Sequence, residues 1–278
     1  MKVGSSLVEV KKATGVLEAY TEEKLRESLR RSGASLKLID EVISTVRRRI
    51  YPEMPTAEIF KLSFKILKKR ARHLAARYNL KRALLSLGPA GFPFEQFIAR
   101  MFEKSGYQTS TNLFLAGKCV EHEVDISAIN DTTTLLCECK FKNSQGMKVD
   151  LKTSLYVYAR ALDLNCVGRP DRDFILITNT GFTTEAIKYS KCMNLKIMGW
   201  SFPDGQSLRS QIEKHGMIPV TCLTGLKKSD FESLIREGYV DIEDFVKNRV
   251  PILKARLGNR RIITALSEAE RLLESLKV

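Results

Sequence analysis

The chain has 278 residues, with 46 Lys and Arg against 32 Asp and Glu and a formal net charge of +14. That length suits two or three domains, and no apolar run approaches the ~20 residues that span a bilayer. The N-terminus lacks an apolar core followed by a small-residue cleavage site, so the expectation is a soluble, cytoplasmic protein with no membrane partner and an anionic one.

In chain order, Leu7 to Lys12 reads as a strand, Ala13-Thr14-Gly15 as a turn and Val16 to Tyr20 as the returning strand. A helix follows, with Thr21 as N-cap, Glu22 and Glu23 in the first turn, Arg30 and Arg31 in the last, and Gly33 as its stop. Leu36, Ile39, Val42, Ile43, Val46 and Ile50 recur at helical spacing and predict a second helix. A third starts at Thr56, and a further helical stretch covers about Ala71 to Leu87. Lys68, Lys69, Arg70 and Arg72 form the densest basic run, which suits either DNA phosphates or a solvated face.

The hairpin-plus-helices order, with Val10-Lys11-Lys12-x-x-Gly15, Tyr20, Lys24-Leu25 and Arg77-Tyr78, resembles the ATP-cone domain. The resemblance implies an N-terminal regulatory domain over residues 1–87. It also implies ATP or dATP as effector, with Val10, Lys11, Lys12 and Lys24 as nucleotide-binding candidates. No Walker A loop is present: Gly117-Lys118 runs into Cys119. A nucleotide here is expected to regulate, not to drive a motor.

Gly88-Pro89-Ala90-Gly91 reads as a linker. The helix after it carries Pro93 in its first turn, an apolar face of Phe94, Phe97, Ile98, Met101 and Phe102, and Gly106 as its stop. A strand from Tyr107 leads to two more, Cys119 to Ile129 and Thr134 to Lys142, around a turn at Asn130-Asp131-Thr132. Strand alternation puts Leu136, Glu138 and Lys140 on one face and Leu135, Cys137, Cys139 and Phe141 on the other. It also sets Asp125 opposite to Val124 and Ile126, and His122 with those two, as a supporting residue. The hairpin brings Asp125 beside Glu138. Two carboxylates and an amine on one patch of sheet suit Mg2+-assisted phosphodiester hydrolysis. Helix, strand, helix and strand then follow to Trp200, predicting an α/β fold with a mixed sheet flanked by helices. The six cysteines lack zinc-ligand spacing and read as reduced thiols, with Cys137 and Cys139 in the core.

This order, with Phe94-Glu95, Gly106-Tyr107, Glu123-Val124-Asp125 and Glu138-Cys139-Lys140, resembles the PD-(D/E)xK nucleases, Mrr-type restriction endonucleases among them. The resemblance implies a restriction-endonuclease-like domain over residues 88–202. It makes Asp125, Glu138 and Lys140 catalytic, with Glu95, Asp125 and Glu138 as ligands of Mg2+, or of Mn2+ in its place. The Gln-containing motif of many relatives has no clear counterpart; Gln145 comes too early, and Lys152 and Tyr156 occupy that region. Residues 203–278 read as a helical C-terminal region, with short helices around Gly238 similar to a helix-hairpin-helix and a final helix over Ser267 to Leu276. The expected function is a metal-dependent DNA endonuclease regulated by ATP or dATP, acting as a homodimer. The alternative is a nucleotide-responsive DNA-binding regulatory protein whose nuclease fold is silent.

Overall fold

The computed structural model describes residues 8–88, 90–144, 146–165, 172–248 and 259–276. Leu7, Pro89 and Gln145, named above, lie outside them, as does one of the six cysteines, Cys166.

The N-terminal body is a small sheet under helices. Strand β1 (Glu9–Lys11) pairs antiparallel with β2 (Leu17–Ala19) and parallel with β3 (Met54–Pro55). Helices α1 (Glu22–Arg31), α2 (Leu36–Arg47) and α3 (Thr56–Arg70) bury Leu25, Leu29, Ile39, Val42, Ile43, Val46 and Leu67 against Val10 and Met54. The apolar residues of α2 recur every three or four positions, so one face enters the core. Ala71 is extended and ends α3. The single helical stretch expected over Ala71 to Leu87 is two helices, α4 (Arg72–Tyr78) and α5 (Leu80–Leu85), which meet at Asn79.

The packing seam falls inside α4, before the sequence boundary at residue 87. Leu74 and Ala75 join the N-terminal cluster, whereas Ala76, Leu80, Ala83, Leu84 and Leu87 join the main core. Helical spacing lets α4 bury two sides at once, so it couples the bodies.

The main body is built on a five-stranded mixed sheet. After α6 (Phe92–Lys104) come β4 (Gln108–Ala116), β5 (Glu121–Ile129) and β6 (Thr134–Lys140), a two-residue β7 (Lys148–Val149), and α7 (Leu151–Asn165). Then follow β8 (Arg172–Thr178), β9 (Gly181–Phe182), α8 (Thr184–Cys192) and β10 (Lys196–Met198). The strand order is β10-β8-β6-β5-β4. β10, β8 and β6 are parallel neighbours, and β6, β5 and β4 are antiparallel. β7 and β9 form a separate parallel pair.

Helix α6 covers one face of this sheet, over Ile126, Ala128, Leu135, Cys137, Cys139, Ile175 and Ile177. Helices α7 and α8 cover the other, over Leu136, Leu176 and Ile197. The C-terminal helices α9 (Leu208–Lys214), α10 (Lys228–Arg236), α11 (Ile242–Lys247) and α12 (Asn259–Glu274) extend the α6-side core. Residues 203–276 therefore share their core with the sheet among the described residues. Helix α12 starts eight residues before the expected Ser267, because Ile262, Ala265 and Leu266 continue its buried face towards the N-terminus. Among the described residues no helix is long and apolar enough to cross a membrane.

One sequence expectation fails in an informative place. Val124 and Ile126 do not share a face: Ile126 packs on the α6 side, while Val124 packs with Leu136 and Leu164 on the α7 side. The β4–β5 register is the same on both sides, with Thr111 opposite Ile126 and Leu113 opposite Val124. Between them Asn112, opposite Asp125, has a left-handed φ of 54° and the two form no ladder pair. This break re-aims the strand at Asp125, as local ladder disruptions do. His122 lies on the α7 side with Val124, away from Ile126, because its ring is bonded to Asp163 of α7.

Candidate active site

Asp125, Glu138, Lys140 and Glu95 come together where β5 leaves β6. The β5–β6 ladder ends at Ile126 opposite Cys137, one step short of pairing Asp125 with Glu138. In place of that pair, the Cys139 backbone N–H donates to Asp125 Oδ2 at 2.6 Å. Glu138 and Lys140 are two residues apart on β6, and Lys140 Nζ lies 2.6 Å from Glu138 Oε1. Parallel pairing holds β6 in place beyond them. Thr178 Oγ1 donates to the Lys140 carbonyl at 2.7 Å, and the buried Asn179 carboxamide brackets Lys142 with one bond in each direction.

The other Glu138 oxygen is taken by Arg160, a residue that the sequence reading did not single out. The Arg160 guanidinium reaches from α7, donates to the Glu123 carbonyl at 2.9 Å and to Tyr156 Oη at 2.9 Å, and lies 4.8 Å from the Tyr156 ring centroid. Tyr156 and Arg160 sit one helical turn apart, which brings both over the same strand position. That Tyr-x-x-x-Arg spacing was the available signal. Lys152, an earlier candidate for this region, is exposed.

Glu95 enters from the first turn of α6. Its carboxylate folds back over Gly91, where a Cβ would stand 2.9 Å from Glu95 Oε1, so glycine leaves the room it uses. Burial first, then the charges of Asp125, Glu123 and Glu138, push the Glu95 carboxyl up to about 7. Burial and the Glu138 charge push Asp125 up to about 6, against the Cys139 N–H bond that favours its charged form. A carboxyl whose folded pKa is raised binds its proton more tightly when folded. Stability is then greatest below the unfolded value and falls as pH rises through the folded one. In the absence of divalent cations the melting temperature should therefore fall between about pH 4 and about pH 7. Glu95→Gln should flatten that slope. Equal slopes for the two proteins in a thermal pH series would remove Glu95 from the site.

The oxygen donors suit a hard cation. Mg2+ takes one or two carboxylates and fills its octahedron with water and phosphate, and the crowding that raises Glu95 and Asp125 is what a cation relieves. Among the described residues no group of three or more His, Cys, Asp or Glu side chains is placed to hold a metal ion, so a cation here would rest on fewer side chains and complete its shell with water and phosphate. Cys137, Cys139 and Cys222 are buried free thiols, and burial pushes the first two well above the ordinary cysteine value.

The β4–β5 hairpin tip is fixed to α7 by Asp163. Its carboxylate accepts from the Cys119 and Val120 backbone N–H groups at 2.9 and 3.4 Å and contacts His122 Nε2 at 2.8 Å. These bonds, His122 first, hold Asp163 down to about 2. This stabilisation is present above the ordinary Asp range and is lost as pH falls through about 2. Asp163→Asn should speed amide hydrogen exchange at Cys119 and Val120 while exchange in β6 stays slow. Unchanged protection at both amides would show that the tip is held otherwise.

In the N-terminal hairpin, Lys12 and Lys24 converge, but on the carboxylate of Glu18. Those two bonds hold Glu18 down to about 2. Val10 is buried in the ladder, and Lys11 is exposed beside it.

No family model matches the chain. A protein of Archaeoglobus fulgidus, described only as uncharacterized, is 37% identical over 149 residues, which cover 54% of this chain and 83% of that protein. The chain belongs to the same family as this archaeal protein. The crystal structure of a protein of unknown function, AF1548, is 31% identical with a TM-score of 0.58, covering 67% of this chain and 100% of that one. The MspJI restriction endonuclease in complex with a 27-mer oligonucleotide is 14% identical with a TM-score of 0.36, covering 70% of this chain and 39% of that one.

Proposed function

We propose that the chain is a metal-dependent DNA endonuclease with a restriction-endonuclease-like core. The observation that carries this is the meeting of Asp125, Glu138 and Lys140 at the point where two antiparallel strands part, with Glu95 electrostatically coupled to them. Asp125 and Glu138, with Glu95 beside them, would hold Mg2+ or Mn2+. When bound, such a cation polarises the phosphate and lowers the pKa of its water. Lys140 presents its ammonium at the same spot, to orient the attacking water and to offset charge on the phosphate oxygens. Arg160 fixes the Glu138 carboxylate in orientation. A basic pocket lined by Lys68, Arg72, Arg260 and Arg261 supplies cations for DNA phosphates.

The experiment is incubation of supercoiled plasmid and linear duplex DNA with the full chain in Mg2+, Mn2+ or EDTA. Metal-dependent nicking or linearisation is expected, and none in EDTA. A second reading has one observation of its own: both Glu138 oxygens are engaged by cations, Lys140 and Arg160. A DNA-binding regulatory protein with a silent nuclease fold would bind salt-sensitively and cut nothing on duplex, branched or modified DNA.

A further inference from the structure

A cleft of about 280 Å3 lies on the seam between the two bodies. Its walls include Phe60 of α3, Arg77 of α4, Lys81 and Arg82 of α5, Trp200 after β10, and Arg209 of α9. Three of these cations, Arg77, Lys81 and Arg82, have no carboxylate partner among the described residues. Glu213, the acid in the lining, is bonded to Arg209 at 2.8 Å, so it does not answer the other three.

Aromatic rings hold two of these cations. The Arg82 guanidinium lies 3.8 Å from the Phe60 ring centroid, and Phe60 stacks on Tyr78 at 5.0 Å and 9°. Lys81 Nζ lies 5.8 Å from the Trp200 ring centroid. A cation over a ring face is attracted by the ring quadrupole, and its N–H donors stay unspent. The cost of this crowding is visible. Contact of its stem with the cleft wall, then the nearby Arg209, lowers Lys81 from its ordinary value, although the residue as a whole is exposed. Burial likewise lowers Arg82. Unpaired cations held side by side in a cleft lack one component, a multivalent anion.

We propose that this cleft binds the phosphoryl groups of a small phosphorylated ligand, of the nucleotide or inorganic polyphosphate type. Arg supplies paired donors that match phosphate oxygens, and Lys adds a point charge. The volume sits near the lower end of the roughly 300–1,000 Å3 of small-molecule sites, which fits a compact ligand better than a polymer. The site is distinct from the N-terminal hairpin, whose Lys12 and Lys24 are already paired with Glu18.

The test is calorimetric titration of the full chain with ATP, pyrophosphate and adenosine at low ionic strength. ATP and pyrophosphate should bind one to one, and adenosine should not bind. Lys81→Gln and Arg77→Gln should each weaken binding by about tenfold, whereas Lys81→Arg should retain most of it. Thermal melts of each variant confirm folding. ATP binding much tighter than pyrophosphate assigns the nucleotide; equal affinities assign the phosphates alone. The proposal falls if neither phosphate binds at millimolar concentration, if adenosine binds as tightly as ATP, or if Lys81→Gln and Arg77→Gln bind like wild type. It also falls if Lys12→Gln with Lys24→Gln is what abolishes binding.

Discussion

Lys140→Met should slow metal-dependent DNA nicking by about 10²–10³-fold, the usual effect of removing one positioned donor from a charge-stabilising site. Burial works to lower the Lys140 pKa, but the Glu138 contact overrides it and leaves the ammonium above its ordinary value. It is therefore charged throughout the working pH range, acting as a fixed cation and donor. Its side chain is 39% exposed, whereas that of Glu138 is 6% exposed. Removing Lys140 leaves Glu138 bonded to Arg160, so the fold should persist and the melting temperature should move little. Lys140→Arg should not restore the rate, because a planar guanidinium cannot replace a compact ammonium at a single position. DNA affinity in EDTA, read by mobility shift, separates catalysis from binding. A Lys140→Met protein that nicks within threefold of wild type would end the assignment.

What the sequence made legible here follows from periodicity. The buried stripe of α2, the alternation along β6 and the apolar face of α6 each carry a regular spacing, and each lies where that spacing places it. Glu138 and Lys140 share a face for the same reason. Asp125 was found by spacing along the chain, but its surroundings were misread. A strand rule carries Val124 and Ile126 to one side, and the left-handed Asn112 on the neighbouring strand breaks that rule. Nothing in the β5 residues themselves encodes a conformation adopted on β4. Arg160 was illegible for a related reason: it arrives from a helix more than twenty residues beyond Glu138, and only the crossover to β8 brings α7 over the strand. The cationic cleft is harder still, since its walls come from parts of the chain as far apart as Ser28 and Leu276. In sequence those arginines and Lys81 are part of a general basic excess; only the fold shows which of them have no carboxylate partner among the described residues.

Arg160→Met should be the most destabilising single change at the site. Glu138 is buried and Arg160 partly so, with side chains 6% and 12% exposed. Breaking a buried pair from one side typically costs about 3–5 kcal/mol, because a charge is left without its partner. Lys140 still touches the other Glu138 oxygen, so the expected loss is smaller, about 2–3 kcal/mol, or a fall of roughly 5–10 °C in melting temperature. The Glu123 carbonyl and the Tyr156 hydroxyl lose their donor in the same step. Glu138→Gln added to Arg160→Met should recover more than half of the loss, since a neutral amide does not need the guanidinium. The coupling in that double-mutant cycle should exceed about 1 kcal/mol. If the two proteins melt alike, the pair is not what holds α7 to β6. The same cycle bears on the chemistry. In Arg160→Met a Glu138 oxygen is freed to take a cation, so added Mg2+ should raise the melting temperature of the single variant more than that of the double variant. A Mg2+ response equal in both would place the cation away from Glu138, and the endonuclease reading would lose its central ligand.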